Sequence, residues 1–499
     1  MKRHVRSLIA LGCALVLPAA AQGLEARVHA FTLDNGLRVL MVVEPSAPVI
    51  HFNLMFDVGG VDEPPGLGGI AHMVEHMAFK GTASIGSRDP EAEAEALAAV
   101  ERALDALEAA RARDADAAEV RRLEATFQEA REQAQRLAIP NALDNLFSAN
   151  GAAGLNAGTG YDFTSFVVSL PKNRLELYAR VYADVLLNPV FRSFYEERDV
   201  VREERRQRSE DDPQGFLFER FLGAAFERHP YGRPLIGSAE EIEGYRTAEA
   251  QAFFERFYHP NRAVLVMVGD LEPERDIQVI ERFFGAVPQG PEARVPIPEE
   301  PPQSREKRIT VRYDAEPQLA IGYHKPTYPE RDAFVMDVID ALLSSGRTSR
   351  LFKRLVLEER LALDVSTSSS FPGARFPNLF LIFAQPRFPN PPEAVEAAVY
   401  AELERLKTEP VPERELEKVK NQVRAGFVRA LASGPGLAQQ LAFYELFLGG
   451  WENLLTYADT IQTVTAEEVQ AAARRYFVPE NRTVAILLPK DASEGGEAP

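Results

Sequence analysis

Two stretches of this 499-residue chain, about 220 residues apart, repeat one succession of elements. In the first, Thr247-Ala248-Glu249 opens a helix, Tyr258-His259-Pro260-Asn261-Arg262 turns the chain, and Ala263–Val268 continues as an apolar strand. In the second, Thr465-Ala466-Glu467 opens a helix that runs to Tyr476. Pro479-Glu480-Asn481-Arg482 and an apolar strand, Thr483–Leu488, follow. A threonine at a helix start followed closely by glutamate is an N-terminal capping pattern. Its recurrence at this distance predicts two homologous domains in tandem. Residues 288–304 between them contain six prolines and several charges, which predicts an extended linker. The expected division is 26–287, 288–304 and 305–490, with a polar, disordered tail over 491–499.

Within the first domain, Phe31–Leu33 and Leu37–Val43 flank Asp34-Asn35-Gly36, the signature of a tight β-hairpin. Val49–Val58 is a third strand, and a loop rich in Pro and Gly leads to a helix over Ile70–Phe79. From Asp89 to Leu137 the composition turns to Ala, Glu, Arg and Leu, with apolar residues at three- and four-residue steps. Asp114-Ala115-Asp116 offers a break and an N-cap, so a helical hairpin inserted over 89–137 is expected. The fold class is α+β, each domain being a mostly antiparallel sheet packed with helices.

The first residues read as an export signal, 1–21. Lys2, Arg3 and Arg6 precede a short apolar run, and Ala19-Ala20-Ala21 offers a cleavage site. Periplasmic or secreted localisation follows. Cys13 is the single cysteine, so the mature chain has no disulfide framework and no cysteine nucleophile or ligand. No later segment has the uninterrupted apolar length of a membrane span. The net charge of −18 argues against a nucleic-acid partner.

Chemistry concentrates at His72-Met73-Val74-Glu75-His76. Residues four apart share one helix face, so both imidazoles can reach one ion. Glu75 lies near that face and can take a proton from water at the position a catalytic zinc leaves open. The other residues of the helix, Ile70, Met73, Val74 and Met77, suit a core-facing side. A third ligand is required, and with cysteine absent a carboxylate is the natural donor. Glu196–Arg206 is the richest acidic stretch. Glu197 and Glu204 share a face there with Val201, but composition alone does not choose among these carboxylates.

The run Gly68–Thr82 resembles the active-site run of the pitrilysin and insulin-degrading zinc peptidases, a family that includes mitochondrial processing peptidase. Glu197-Arg198, Val201 and Glu204 resemble its second run. The resemblance covers nearly the whole mature chain. It implies one zinc per chain held by His72, His76 and Glu204, with Glu75 as catalytic base and Glu197 behind the ligands. It also implies that Asn156 and Ala157, within Asn156–Phe166, bind an extended peptide along an open sheet edge. Members of the family carry an Arg and a Tyr, seven apart, that contact the substrate carbonyl. Here Val356 and Leu363 stand in those places, and neither donates a hydrogen bond. The second half also lacks the His-x-x-Glu-His motif, so it is expected to be non-catalytic. The implied assembly is a heterodimer with a related subunit that supplies the missing pair, or failing that a homodimer. The competing expectations are a non-catalytic scaffold or regulatory subunit, and a hydrolase of non-peptide substrates.

Overall fold

The computed structural model describes residues 23–291, 294 and 296–490; the expected signal peptide (1–21) and tail (491–499) lie outside these residues. Strands β1 (Val28–Thr32), β2 (Arg38–Val43), β3 (Val49–Phe56), β4 (Ala153–Thr159), β5 (Thr164–Pro171) and β6 (Ala263–Gly269) form one sheet in the order β1-β2-β6-β3-β5-β4. Strands β7 (Lys307–Arg312), β8 (Gln318–Lys325), β9 (Ala362–Phe371), β10 (Asn378–Pro386) and β11 (Arg482–Leu488) form a second, in the order β7-β11-β8-β10-β9. With β1 set aside, the two orders are the same. In each, the strand after the Pro-Asn turn runs parallel to one neighbour, and every other pairing is antiparallel.

The helices that bear on the site are α1 (Ile70–Ala78), α2 (Pro90–Ala112), α3 (Ala117–Leu137), α4 (Phe194–Arg205) and α5 (Pro213–Ala225) in the first half. In the second they are α6 (Arg331–Ser344), α7 (Glu413–Ala430) and α8 (Gly434–Phe447). The α2–α3 pair is the predicted hairpin, and Asp116 Oδ1 accepts from Ala118 N and Glu119 N as its cap. Thr465 also caps its helix as expected, its hydroxyl accepting from Glu468 N while Glu468 Oε2 accepts from Thr465 N. Thr247 does not cap its own helix. The hydroxyl donates instead to Glu101 Oε1 of α2, and Glu249 holds Arg246 N.

The expected hairpin forms, β1 and β2 pairing antiparallel across a turn over 33–37 in which Leu33 N donates to Leu37 O and Gly36 N to Leu33 O. Only Gly36 takes a left-handed φ, of 84°; the Asn35 side chain donates to Phe284 O and Val287 O and is committed to that packing. The Pro-rich segment contains no regular element among its described residues, but it is fastened down: Glu300 accepts from Glu227 N, Arg228 N and His229 N.

Each half covers the other's sheet. On one side, Leu217, Phe221 and Leu222 of α5 are buried against Ala320, Leu379, Leu381, Ala485 and Leu487 of the second sheet. On the other, Leu437, Ala438, Leu441 and Ala442 of α8 are buried against Leu40, Val42, Met55, Val264, Val266 and Val268 of the first. Both helices start at a short polar cap followed by a Pro-containing first turn, Asp212 accepting from Gly215 N and Ser433 from Gly436 N. Apolar burial at about 25 cal/mol per Å2 is the main gain from such packing. Neither sheet has both faces dry without the other half.

Candidate metal centre and active site

The α1 helix is set in place by groups outside it. Gly69, its N-terminal neighbour, has φ 85°, and a Cβ there would lie 2.2 Å from Ile236 O, so only glycine fits. Having no side chain, Gly69 cannot cap the helix. Glu63 does so from the preceding loop, accepting from Gly69 N at 2.8 Å and Ala71 N at 3.0 Å. Burial pushes the Glu63 carboxyl up to about 8, against the pull of those two N–H groups. Gly68 N donates to Glu241 Oε1, and the Tyr245 hydroxyl donates to Gly68 O. Ile70, Met73, Val74 and Met77 are buried in the first core, and this fixes the rotation of the helix so that His72, Glu75 and His76 face the cleft.

Glu204, in the last turn of α4, meets the two histidines. His72 Nε2 and His76 Nε2 lie 3.2 Å apart; Glu204 Oε1 is 3.7 Å from the first and Glu204 Oε2 3.5 Å from the second. Ligands about 2.05 Å from a tetrahedral zinc stand roughly 3.3 Å from one another. The triangle fits that ion, with a fourth direction free. His72, His76 and Glu204 are also the single group of three or more metal-ligating side chains with converging donor atoms among the described residues. Burial, then the neighbouring His76, hold His72 down at about 4, which keeps its imidazole neutral and able to ligate. The His76 contact in turn holds Glu204 below the ordinary carboxylate value. Arg208, one turn on, reaches Glu204 Oε1 at 2.8 Å. Immediately after α4 the chain widens into a π-helical turn, Arg206–Glu210, a geometry common beside functional sites.

Glu197 stands behind His76. Its Oε2 is 4.0 Å from His76 Nδ1 and 2.7 Å from Lys80 Nζ. Glu203 faces away, bound to Arg206 and Gln207 and exposed, so Glu204 is the acidic side chain that enters the cluster. Glu75 is buried and its Oε2 accepts a hydrogen bond from the Thr159 hydroxyl at 2.6 Å. Burial raises the Glu75 carboxyl above its ordinary value, while the Thr159 bond works the other way.

Thr159 ends β4, the edge strand of the first sheet, so the outer side of β4 is unpaired. Asn156 is exposed on β4, and Ala157 shares the face of Thr159 and packs on the first core. Glu63 and Thr159 were missing from the residues singled out in the sequence. Thr159 lies two residues past Ala157, and strand alternation puts it on the α1 side. In the second half, Val356 is half-buried against its own core and Leu363 lies exposed at the start of β9. There α6 follows β8 as α1 follows β3, and Thr367 of β9 donates to Asp340 at 2.5 Å as Thr159 donates to Glu75. One residue on, where His76 would stand, is Ala341.

The family described as Insulinase (Peptidase family M16) matches residues 38–109 and 136–239, and the domain described as Peptidase M16 inactive domain matches 247–423. The chain belongs to peptidase family M16. The break at 110–135 falls inside the α2–α3 hairpin, and the second match starts ahead of β6, a central strand of the first sheet. Among M16 relatives, the zinc protease PqqE of Helicobacter pylori is 25% identical over 97% of this chain and 99% of its own length. An uncharacterized zinc protease of Mycobacterium tuberculosis is 27% identical over 92% of each chain. The crystal structure of a protease from Helicobacter pylori superposes with TM-score 0.77 at 25% identity, covering 93% of this chain and 99% of that one. The periplasmic protease PqqL of Escherichia coli shares the fold at TM-score 0.68 and 19% identity; this chain covers 50% of it.

Proposed function

We propose that this M16 protein is a zinc-dependent endopeptidase acting on unfolded peptides or small proteins. The observation that carries the reading is the meeting of His72, His76 and Glu204 from two separate helices, with the Glu75 carboxylate beside them and an unpaired strand edge alongside. When bound, zinc supplies a Lewis acid that polarises the scissile carbonyl and lowers the pKa of water. Glu75 takes a proton from the attacking water and returns it to the leaving nitrogen. Thr159 holds one Glu75 oxygen and leaves the other for that transfer. A peptide added to β4 pairs through its main chain, Asn156 and Ala157 lying along its path, with little demand on sequence. Val356 and Leu363 leave the substrate carbonyl without donors from the second half, which supports a related subunit as the source of an Arg and Tyr. The basic start and apolar run of residues 1–21 support export to the periplasm. Among the described residues no helix is long and apolar enough to cross a membrane.

The test is Glu75→Gln in the full chain. Zinc content should stay at one per chain, while cleavage of an unstructured peptide falls by about 10²- to 10⁴-fold. Equal turnover by wild type and variant would favour the scaffold reading.

A further inference from the structure

Among the described residues the second half carries no converging set of metal ligands, yet its loop over 373–376 touches the elements that hold the active site. Arg375 projects from that loop between two carboxylates of the first half. Its Nη1 lies 2.9 Å from Asp57 Oδ1 and 3.5 Å from Asp62 Oδ2, and the side chains of Asp57 and Asp62 are 1% and 4% exposed. Arg262 stands on the other side, 3.5 Å from Asp62 Oδ1 and donating to Asp57 O at 2.9 Å, and Arg294 pairs with Asp57. Buried carboxylates are tolerated only with their cations in place, so this cluster is complete only when the two halves are docked in one arrangement.

Two routes lead from the loop to α1. By the first, Asp62 adjoins Glu63, whose carboxylate caps α1 at Gly69 N and Ala71 N. By the second, Ala374 N and Arg375 N donate to Asp162 Oδ2 at 2.7 and 3.1 Å, while the Tyr231 hydroxyl donates to Asp162 Oδ1 at 2.6 Å. Asp162 lies in the β4–β5 turn, three residues past Thr159, which binds Glu75. The routes are tied together where Gly60 N donates to Gly160 O and Val61 N to Tyr161 O. A Cβ at Gly373 would lie 2.5 Å from both Asp162 Oδ2 and the Tyr231 hydroxyl, so the loop approaches this closely only because residue 373 is glycine.

We propose that the 373–376 loop of the second half is the positioning element of the active site, Arg375 and the Ala374 and Arg375 N–H groups holding the α1 cap and the Thr159 turn in register with Glu75. Arg375 is a positioning residue and touches no substrate. The inference rests on the peptidase reading for its catalytic consequence, and on geometry alone for the coupling.

The experiment uses the full zinc-loaded chain and three variants: Arg375→Gln, Arg375→Lys, and the charge-balanced pair Asp57→Asn with Arg375→Gln, which guards against loss of the fold. Amide exchange is followed over segments 58–71 and 156–164, together with zinc content, kcat and KM. Zinc should remain bound and exchange should quicken in both segments for Arg375→Gln and for the pair. In those two variants kcat should fall about 10- to 100-fold with KM within about twofold, as expected for a displaced catalytic group. Arg375→Lys should recover most of kcat. Faster exchange confined to 373–376, full kcat in the double variant, or a loss of kcat that only tracks the unfolded fraction would each overturn the proposal. If the wild-type chain cleaves no peptide either alone or with a related subunit added, the peptidase reading falls, and the exchange measurement still decides the coupling.

Discussion

At the scale of single residues, the Thr159 hydroxyl sits 2.6 Å from Glu75 Oε2 and removes one of the two places where that carboxylate could accept a proton. The remaining oxygen is oriented, and orientation of a catalytic group is a large part of its effect. Thr159→Val should therefore keep zinc and lower kcat by about 10- to 100-fold, the usual effect of losing such a supporting contact. Thr159→Ser should restore it, and steady-state kinetics beside metal analysis checks both. The histidine pair and Glu75 were legible from spacing, because helix geometry alone puts i and i+4 on one face. Choosing Glu204 over Glu203 needed the family resemblance: one helix position separates them, and only the folded chain shows Glu203 spent on Arg206 and Gln207. Glu63 was illegible because capping rules look for a side chain at the N-cap itself, and here that residue is Gly69.

At the scale of elements, the hairpin α2–α3 is more than an appendage. Glu93, in the first turn of α2, forms a two-point ion pair with Arg192 at 2.9 and 3.0 Å, both side chains 3% exposed. The same guanidinium donates to Lys80 O, Thr82 O and Ile85 O, so it holds the loop that leaves α1. On the other side, Arg131 of α3 binds Glu196 and Asp199 of α4, the helix that carries Glu197 and Glu204. The insertion thus braces the exit of α1 and the first turns of α4, the two helices that supply the cluster. Glu93→Ala leaves a buried guanidinium unpaired and should cost about 3–5 kcal/mol of stability, read by chemical denaturation. A change below about 0.5 kcal/mol, typical of a surface substitution, would contradict this. The helical period and the Asp116 cap were readable in the sequence. The role of Glu93 was not, since a glutamate at the start of an Ala- and Glu-rich helix reads as solvated charge.

At the scale of the whole molecule, the repeated Pro-Asn turn and strand foretold two related halves, and the strand orders agree. The exchange of α5 and α8 between the sheets was not foretold, because an apolar helix face does not say which sheet it will cover. The second half also keeps the outline of the site without its ligands. On α7, Val419 is buried as Val201 is on α4, and Gln422 follows it by three residues as Glu204 follows Val201, lining one cavity with Asp340 and Ala341. With Ala341 in place of His76, no metal triangle can form there. With Val356 and Leu363 in place of an Arg and a Tyr, the purified chain is expected to cleave peptides weakly or not at all, and a related subunit bearing the Arg and Tyr to raise the rate. Kinetics before and after adding that subunit checks it; full activity alone, unchanged on addition, would refute it.

The measurement closest to the centre of the account is zinc titration by calorimetry of the wild-type chain, Glu204→Gln and Glu203→Gln. One site per chain is expected in wild type and in Glu203→Gln, with an affinity at least about 10-fold weaker in Glu204→Gln. No zinc site in the wild type, or equal weakening by both substitutions, would contradict it.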